Sequence, residues 1–211
     1  MRSLRAILHR LAQLSVLFSL VACAGLPRTD VAGNTLSRDS LAAFMLEGRF
    51  SLQHESQSYS GRLHWRHAVD TDEVLLASPL GQGMAEIFSD THGARLSTGD
   101  GKSYSAGSAE ALTQQVLGYP LPLTRLADWL RGRTSGDSLV DAPVDSLTEF
   151  DPLGRPLRLR QEGWEVSYQY DNDDAQALPG RLFITREGGF DLRLRIDEWQ
   201  PLSSPNGDSL P

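Results

Sequence analysis

Apolar residues recur at two spacings along this chain, and the order in which those spacings alternate restricts the fold more than any single residue does. Phe190, Leu192, Leu194 and Ile196 alternate with Asp191, Arg193, Arg195 and Asp197. A period of two is the signature of a strand with one buried face. The same alternation runs through Leu46, Gly48, Phe50 and Leu52, and again through Tyr59, Gly61, Leu63 and Trp65. Further strands are expected at residues 73–77, 83–89, 94–98, 157–160, 164–170 and 181–185. Turn residues separate them, among them Asp70-Thr71-Asp72, Ser78-Pro79, Asp90-Thr91-His92-Gly93 and Gly99-Asp100-Gly101.

Between the fifth of these runs and the sixth the period becomes helical. Ser108 stands where it can cap a helix, Leu112, Val116 and Leu117 share one face, and Gly118 falls where a terminating glycine belongs. A second helix is expected from about Pro122 to Arg131, carrying Leu123, Leu126, Trp129 and Leu130, with Gly132 ending it. Strands, two helices, then strands again imply a mainly β (α+β) fold: an antiparallel sheet with helices on one face. A sheet of eight or more strands tends to curl, which gives the helices a concave side to cover.

The amino terminus is an address. Arg2, Arg5 and Arg10 precede an apolar run that ends in Leu20-Val21-Ala22-Cys23. A basic region, a short apolar stretch and a small-residue junction make a secretory signal, too short to be a durable span. The junction resembles the bacterial lipobox, in which the cysteine is diacylated and becomes the new terminus. Cys23 is the only cysteine in the 211 residues, so a chance cysteine behind an ordinary signal is the weaker reading. Two or more acyl chains make a stable anchor, and Ala24 is not the aspartate that resembles an inner-membrane retention signal. The expected arrangement is a signal peptide at residues 1–22 and a lipidated terminus with tether at 23–36. The folded domain follows at 37–199, then a flexible Pro/Ser-rich tail at 200–211. The chain is expected on the periplasmic face of the outer membrane, held by its lipid.

Charge and chemistry exclude other roles. The formal charge is −7, and Lys102 is the single lysine. Nucleic-acid binding needs a concentrated basic surface, and there is none. Gly136-Asp137-Ser138-Leu139 and Gly207-Asp208-Ser209-Leu210 each spell an esterase nucleophile block. Yet every histidine (His9, His54, His64, His67, His92) precedes Ser138, where such an enzyme needs one to follow. His64 and His67 fall on opposite faces of a strand and cannot converge on a metal. Asp171-Asn172-Asp173-Asp174 lacks the glycine and the bidentate glutamate of a calcium loop. Gly81-Gln82-Gly83 lacks the third glycine of a dinucleotide fingerprint. No catalytic residue, metal site or cofactor is expected, and the chain is read as a non-enzyme.

One order of motifs is more specific. Gly48-Arg49-Phe50-Ser51 is followed by Gly61-Arg62-Leu63-His64-Trp65 and then Leu75-Leu76-Ala77-Ser78-Pro79-Leu80-Gly81. Tyr104-Ser105-Ala106, Gly118-Tyr119-Pro120-Leu121-Pro122-Leu123, Trp129-Leu130-Arg131-Gly132 and Gly163-Trp164-Glu165-Val166-Ser167-Tyr168 continue it, up to Trp199. Together they resemble the LolB family of outer-membrane lipoprotein receptors. The resemblance implies an incomplete antiparallel β-barrel closed by a few helices around an apolar cavity. It implies a partner, a LolA-like periplasmic carrier, from which lipoprotein acyl chains are accepted as cargo and placed in the outer membrane without ATP. It also assigns to Leu80, at a turn tip, the part of an exposed apolar residue needed for membrane insertion. A monomer is expected. Candidates for the cavity wall are Phe50, Leu52, Leu63, Trp65, Leu126, Trp129, Tyr168, Leu192 and Leu194. Periodicity does not separate residues that line a cavity from residues that fill a core. A structural outer-membrane lipoprotein with a filled interior, acting as an assembly scaffold, therefore stays open as the alternative.

Overall fold

The first and last strands lie side by side, and the sheet grows outward from that pair in both directions. The computed structural model describes residue 38, residues 41–133 and residues 147–202, all within one unit, Leu36–Pro211. Cys23, Ala24, the expected tether and both Gly-Asp-Ser-Leu blocks lie outside the described residues. One meander contains β1 (Phe44–His54), β2 (Gln57–His67), β3 (Thr71–Ala77), β4 (Gly83–Asp90), β5 (Gly93–Thr98) and β6 (Ser103–Ala106). Two helices follow, α1 (Ala109–Leu117) and α2 (Leu123–Leu130). The second meander contains β7 (Leu147–Phe150), β8 (Pro156–Gln161), β9 (Trp164–Gln169), β10 (Arg181–Arg186) and β11 (Phe190–Pro201).

All pairs are antiparallel, in the order β6-β5-β4-β3-β2-β1-β11-β10-β9-β8-β7. The edge strands β6 and β7 do not pair with each other, so the sheet is an open half-barrel. Because α1 follows one edge strand and β7 is the other, the chain must cross the sheet between them. That crossing brings the helices over the inward face.

Three details depart from the alternation pattern. β6 and β7 are strands that the pattern did not predict. Each has four residues, too few to show a period, and their pairing with β5 and β8 defines them. The last strand also runs through Gln200 to Pro201, past the expected start of the tail, because these residues pair with Met45 and Phe44.

Local chemistry explains the helix ends. The Ser108 side chain accepts from the Ala111 N–H at 3.1 Å, and Gly118 takes a left-handed φ of 74° while its N–H donates to Gln114 O. Arg131, at the end of α2, is buried and donates to the carbonyls of Leu41 at 2.8 Å and Ala42 at 3.0 Å. It thereby ties the helix to the start of β1. Within the sheet, Phe50 faces Gly61, where a Cβ would stand 2.0 Å from Ala77 O, so no larger residue fits.

Candidate functional site

The inward side chains of six strands and the undersides of both helices enclose a hollow of about 300 Å³, partly open to solvent. Its wall is built strand by strand from the period of two. Phe50 and Leu52 come from β1, Leu63 and Trp65 from β2, Val74 and Leu76 from β3, and Ile87 from β4. Leu96 of β5 and Leu192 and Leu194 of β11 complete the sheet side, and Met84 and Ala85 stand at the start of β4. The roof is Thr113, Val116 and Leu117 of α1, Leu121 of the connector, and Leu123 and Leu126 of α2.

What the lining lacks decides its chemistry. Thr113 spends its hydroxyl on Ala109 O at 3.0 Å and accepts from the Leu121 N–H at 2.8 Å, which fastens the connector to α1. The Tyr59 hydroxyl donates to Gln57, and the Thr98 hydroxyl donates to Asp100. The Trp65 indole N–H donates to Asp72 Oδ1 at 2.8 Å, beside His67 Nδ1, which lies 2.7 Å from the same oxygen. Lys102, and after it Thr98, holds the Asp100 carboxyl down to about 2, so that rim group stays ionised. A ligand deep in this hollow finds no free hydrogen-bonding side chain. It is stabilised by burying its own apolar surface, about 0.8 kcal/mol per methylene, and the volume lies at the lower end of known ligand pockets, about 300–1,000 Å³.

Seven of the nine expected wall residues stand around the hollow: Phe50, Leu52, Leu63, Trp65, Leu126, Leu192 and Leu194. Trp129 and Tyr168 do not, and are corrected to core. Trp129 is wholly buried, donates its indole N–H to Gln161 Oε1 at 3.2 Å, and packs 5.6 Å from the Trp164 ring. Tyr168 of β9 is buried so deeply that its phenol is pushed far above the usual range. Both are buried in the core, Trp129 on α2 and Tyr168 on β9, and neither borders the hollow. The pattern also under-counted the wall: Val74, Leu76, Ile87 and Leu96 continue the same alternation through β3 to β5.

Leu80 is 91% exposed at the tip of the β3–β4 hairpin. The Gly81 N–H donates to Ser78 O at 2.8 Å, the Ser78 N–H to Gln82 O at 2.7 Å, and Gly81 has a φ of 86°. Proline at the first central position and a left-handed glycine after the turn make a tight, pinned loop. An apolar side chain is held in water by a rigid mount.

The other faces offer less. A larger groove of about 570 Å³ on the outward side is about half polar and contains the Arg49–Asp197 pair at 2.8 Å and the His64–Glu47 contact at 3.5 Å. It gives an apolar ligand no dry surface. His64 thus faces outward while His67 is buried inward. The carbonyls of Asn172 and Asp174 accept from Arg155 at 2.6 and 3.2 Å, so the acidic turn is clipped to the β7–β8 connection. Among the described residues no three His, Cys, Asp or Glu side chains gather as metal ligands.

The profile of the family described as "Outer membrane lipoprotein LolB" matches residues 42–199. An outer-membrane lipoprotein LolB of Dechloromonas aromatica is 40% identical over 186 residues, covering 86% of this chain and 92% of that protein. One from Azoarcus sp. is 39% identical over 184 residues, covering 87% and 90%. Among solved structures, a DUF1329 family protein from Desulfovibrio piger has a TM-score of 0.50 at 10% identity, covering 82% of this chain and 89% of that one, a likeness of fold alone. By the span matched and the identity shared, the chain belongs to the LolB family of outer-membrane lipoproteins.

Proposed function

We propose that this chain receives acylated lipoproteins from a LolA-like periplasmic carrier, holds their acyl chains in the hollow beneath α1 and α2, and inserts them into the outer membrane. The observation that carries the reading is the hollow itself, apolar, about 300 Å³, and without a free polar side chain in its wall. Kinship with proteins named outer-membrane lipoprotein LolB supports the location. Exposing dozens of methylenes to water costs on the order of tens of kcal/mol at about 0.8 each, so a hand-off between two dry pockets is the way to move them. No bond is made or broken. The transfer needs no ATP when carrier, receptor and bilayer form a descending series of free energy.

Cys23 carries the acyl anchor in this reading, and the chain works as a monomer on the periplasmic face. Leu80, pinned and exposed, enters the bilayer surface while the cargo leaves. A scaffold with a filled interior would need no such hollow, which weighs against that alternative. The test is transfer of a labelled acylated protein from its carrier to the unacylated chain (Cys23→Ala) at micromolar concentration. Cargo is expected to move to the receptor. If it stays on the carrier, the receptor reading falls.

A further inference from the structure

Three hairpins close at the same end of the strands, and their closing pairs place inward side chains in one row across the sheet. His54 pairs with Gln57 and, across β11, with Phe190. Phe190 pairs with Arg186, Arg186 with Trp164, and Trp164 with Gln161. The left-handed turn at Gly118 sets Tyr119 down onto this row. Its ring stacks on Phe190 at 5.0 Å, meets His54 edge-on at 5.0 Å and meets Trp164 edge-on at 5.7 Å. The Arg186 guanidinium lies 5.1 Å from the Trp164 ring centre and 5.8 Å from that of Tyr119. No carboxylate pairs with it among the described residues.

Three atoms in this row stand out. His54 Nδ1, the Tyr119 hydroxyl and Gln161 Nε2 are all buried and have no hydrogen-bond partner. Buried polar groups are nearly always satisfied, and an exception calls for a reason. Of these residues, His54 and Tyr119 line a narrow crevice that shares Leu52, Tyr59 and Leu117 with the main hollow, so the two spaces adjoin. The apolar hollow thus adjoins a crevice whose polar side chains include a phenol and an imidazole, both able to donate a hydrogen bond. The exposed Leu80 hairpin closes at this same end of the strands.

We propose that His54 and Tyr119 form a polar subsite that takes the ester and amide carbonyl oxygens at the head of acyl chains held in the hollow. This rests on the acyl-chain reading above and adds to it which end of the cargo is recognised. An acyl ester or amide is an acceptor with an apolar tail, and the structure offers donors beside an apolar hole. A neutral carbonyl fits better than a fatty-acid carboxylate, because it accepts a hydrogen bond without carrying a charge into an apolar hollow.

The experiment measures displacement of a polarity-sensitive dye from the full-length Cys23→Ala chain. The competitors are a synthetic tripalmitoylated cysteine peptide and its counterpart with ether-linked alkyl chains of equal length in place of the esters. The ester probe is expected to bind about tenfold more tightly, as one or two net hydrogen bonds would give. Tyr119→Phe keeps the ring stack and is expected to erase most of that advantage. His54→Phe keeps a ring beside Tyr119 and Phe190 and is expected to do the same, and it decides the matter if Tyr119→Phe unfolds at a lower temperature. Equal binding of the two probes, or variants that weaken both equally, would overturn the subsite and leave the acyl hollow standing. Failure of both probes to bind would remove the hollow's function and the subsite with it.

Discussion

The two meanders share a period of two and an antiparallel register, yet their inward faces end differently. In the second, Leu159, Val166, Leu182 and Ile184 have no accessible surface, and Trp129 and Trp164 close the space above them. In the first, and on β11 at the seam, Phe50, Leu63, Ile87 and Leu192 each keep 6–8% of theirs and face helices that do not reach down to them. No residue of β6 to β10 borders the hollow. One side of the sheet is a packed interior and the other leaves an apolar hollow. The difference lies in ring volume and helix placement rather than in strand pattern. Close packing is the default for a protein interior, so the aliphatic side, left open, is the part that needs a functional reason.

Variants can press on this contrast. Trp129→Ala removes the plug of the filled side and is expected to cost about 3–5 kcal/mol, the usual toll of a large core truncation, read by chemical denaturation. A matched pair comes next. Val166→Phe in the filled side should cost about 1–3 kcal/mol from overpacking, whereas Ala85→Phe grows into the hollow and should stay within about 1 kcal/mol of wild type. Ala85→Phe should also lose acyl binding while remaining folded. If both phenylalanines cost the same, the hollow is not the open space described here.

Leu80→Glu touches neither interior. Its stability effect should lie within about 0.5 kcal/mol, and uptake of cargo from the carrier should persist while delivery to liposomes stops. Unchanged delivery would remove the loop from the mechanism. The smallest effect concerns the turn that edges the filled side. Burial works against the Asp151 charge, but the Arg155 and Leu153 N–H groups and the Arg155 guanidinium outweigh it and hold the carboxyl below its ordinary value. A depressed carboxyl stabilises the fold above the ordinary carboxylate range, and that support is lost as pH falls through the folded value. Asp151→Asn should therefore flatten the acid limb of a stability–pH curve. An unaltered limb would show that the Asp151 carboxylate does not carry that support.

Much of the fold is legible in local chemistry. Ser108 and Gly118 bound α1 where a capping serine and a left-handed glycine should, and the alternation of β11 is visible from Phe190 to Ile196. β6 and β7 were not legible, since four residues carry no period and only a partner strand makes them strands. The site was half legible. Phe50, Leu52, Leu63 and Trp65 face inward by parity alone, but so does Tyr168, and nothing local separates it from them. His54 and Tyr119 gave no sign of belonging together, being far apart in the chain and joined only by register and by the turn after α1.

The amino-acid order by itself determined most of the strands, the caps of α1 and the family to which the chain belongs. These depend on side-chain parity, on backbone preferences of single residues, or on motifs read in line. Only the folded molecule decided which side of the sheet is filled and where polar atoms remain unpartnered. A void is what is left when the volumes of residues from distant strands and helices are summed in one place, and no stretch of chain contains that sum.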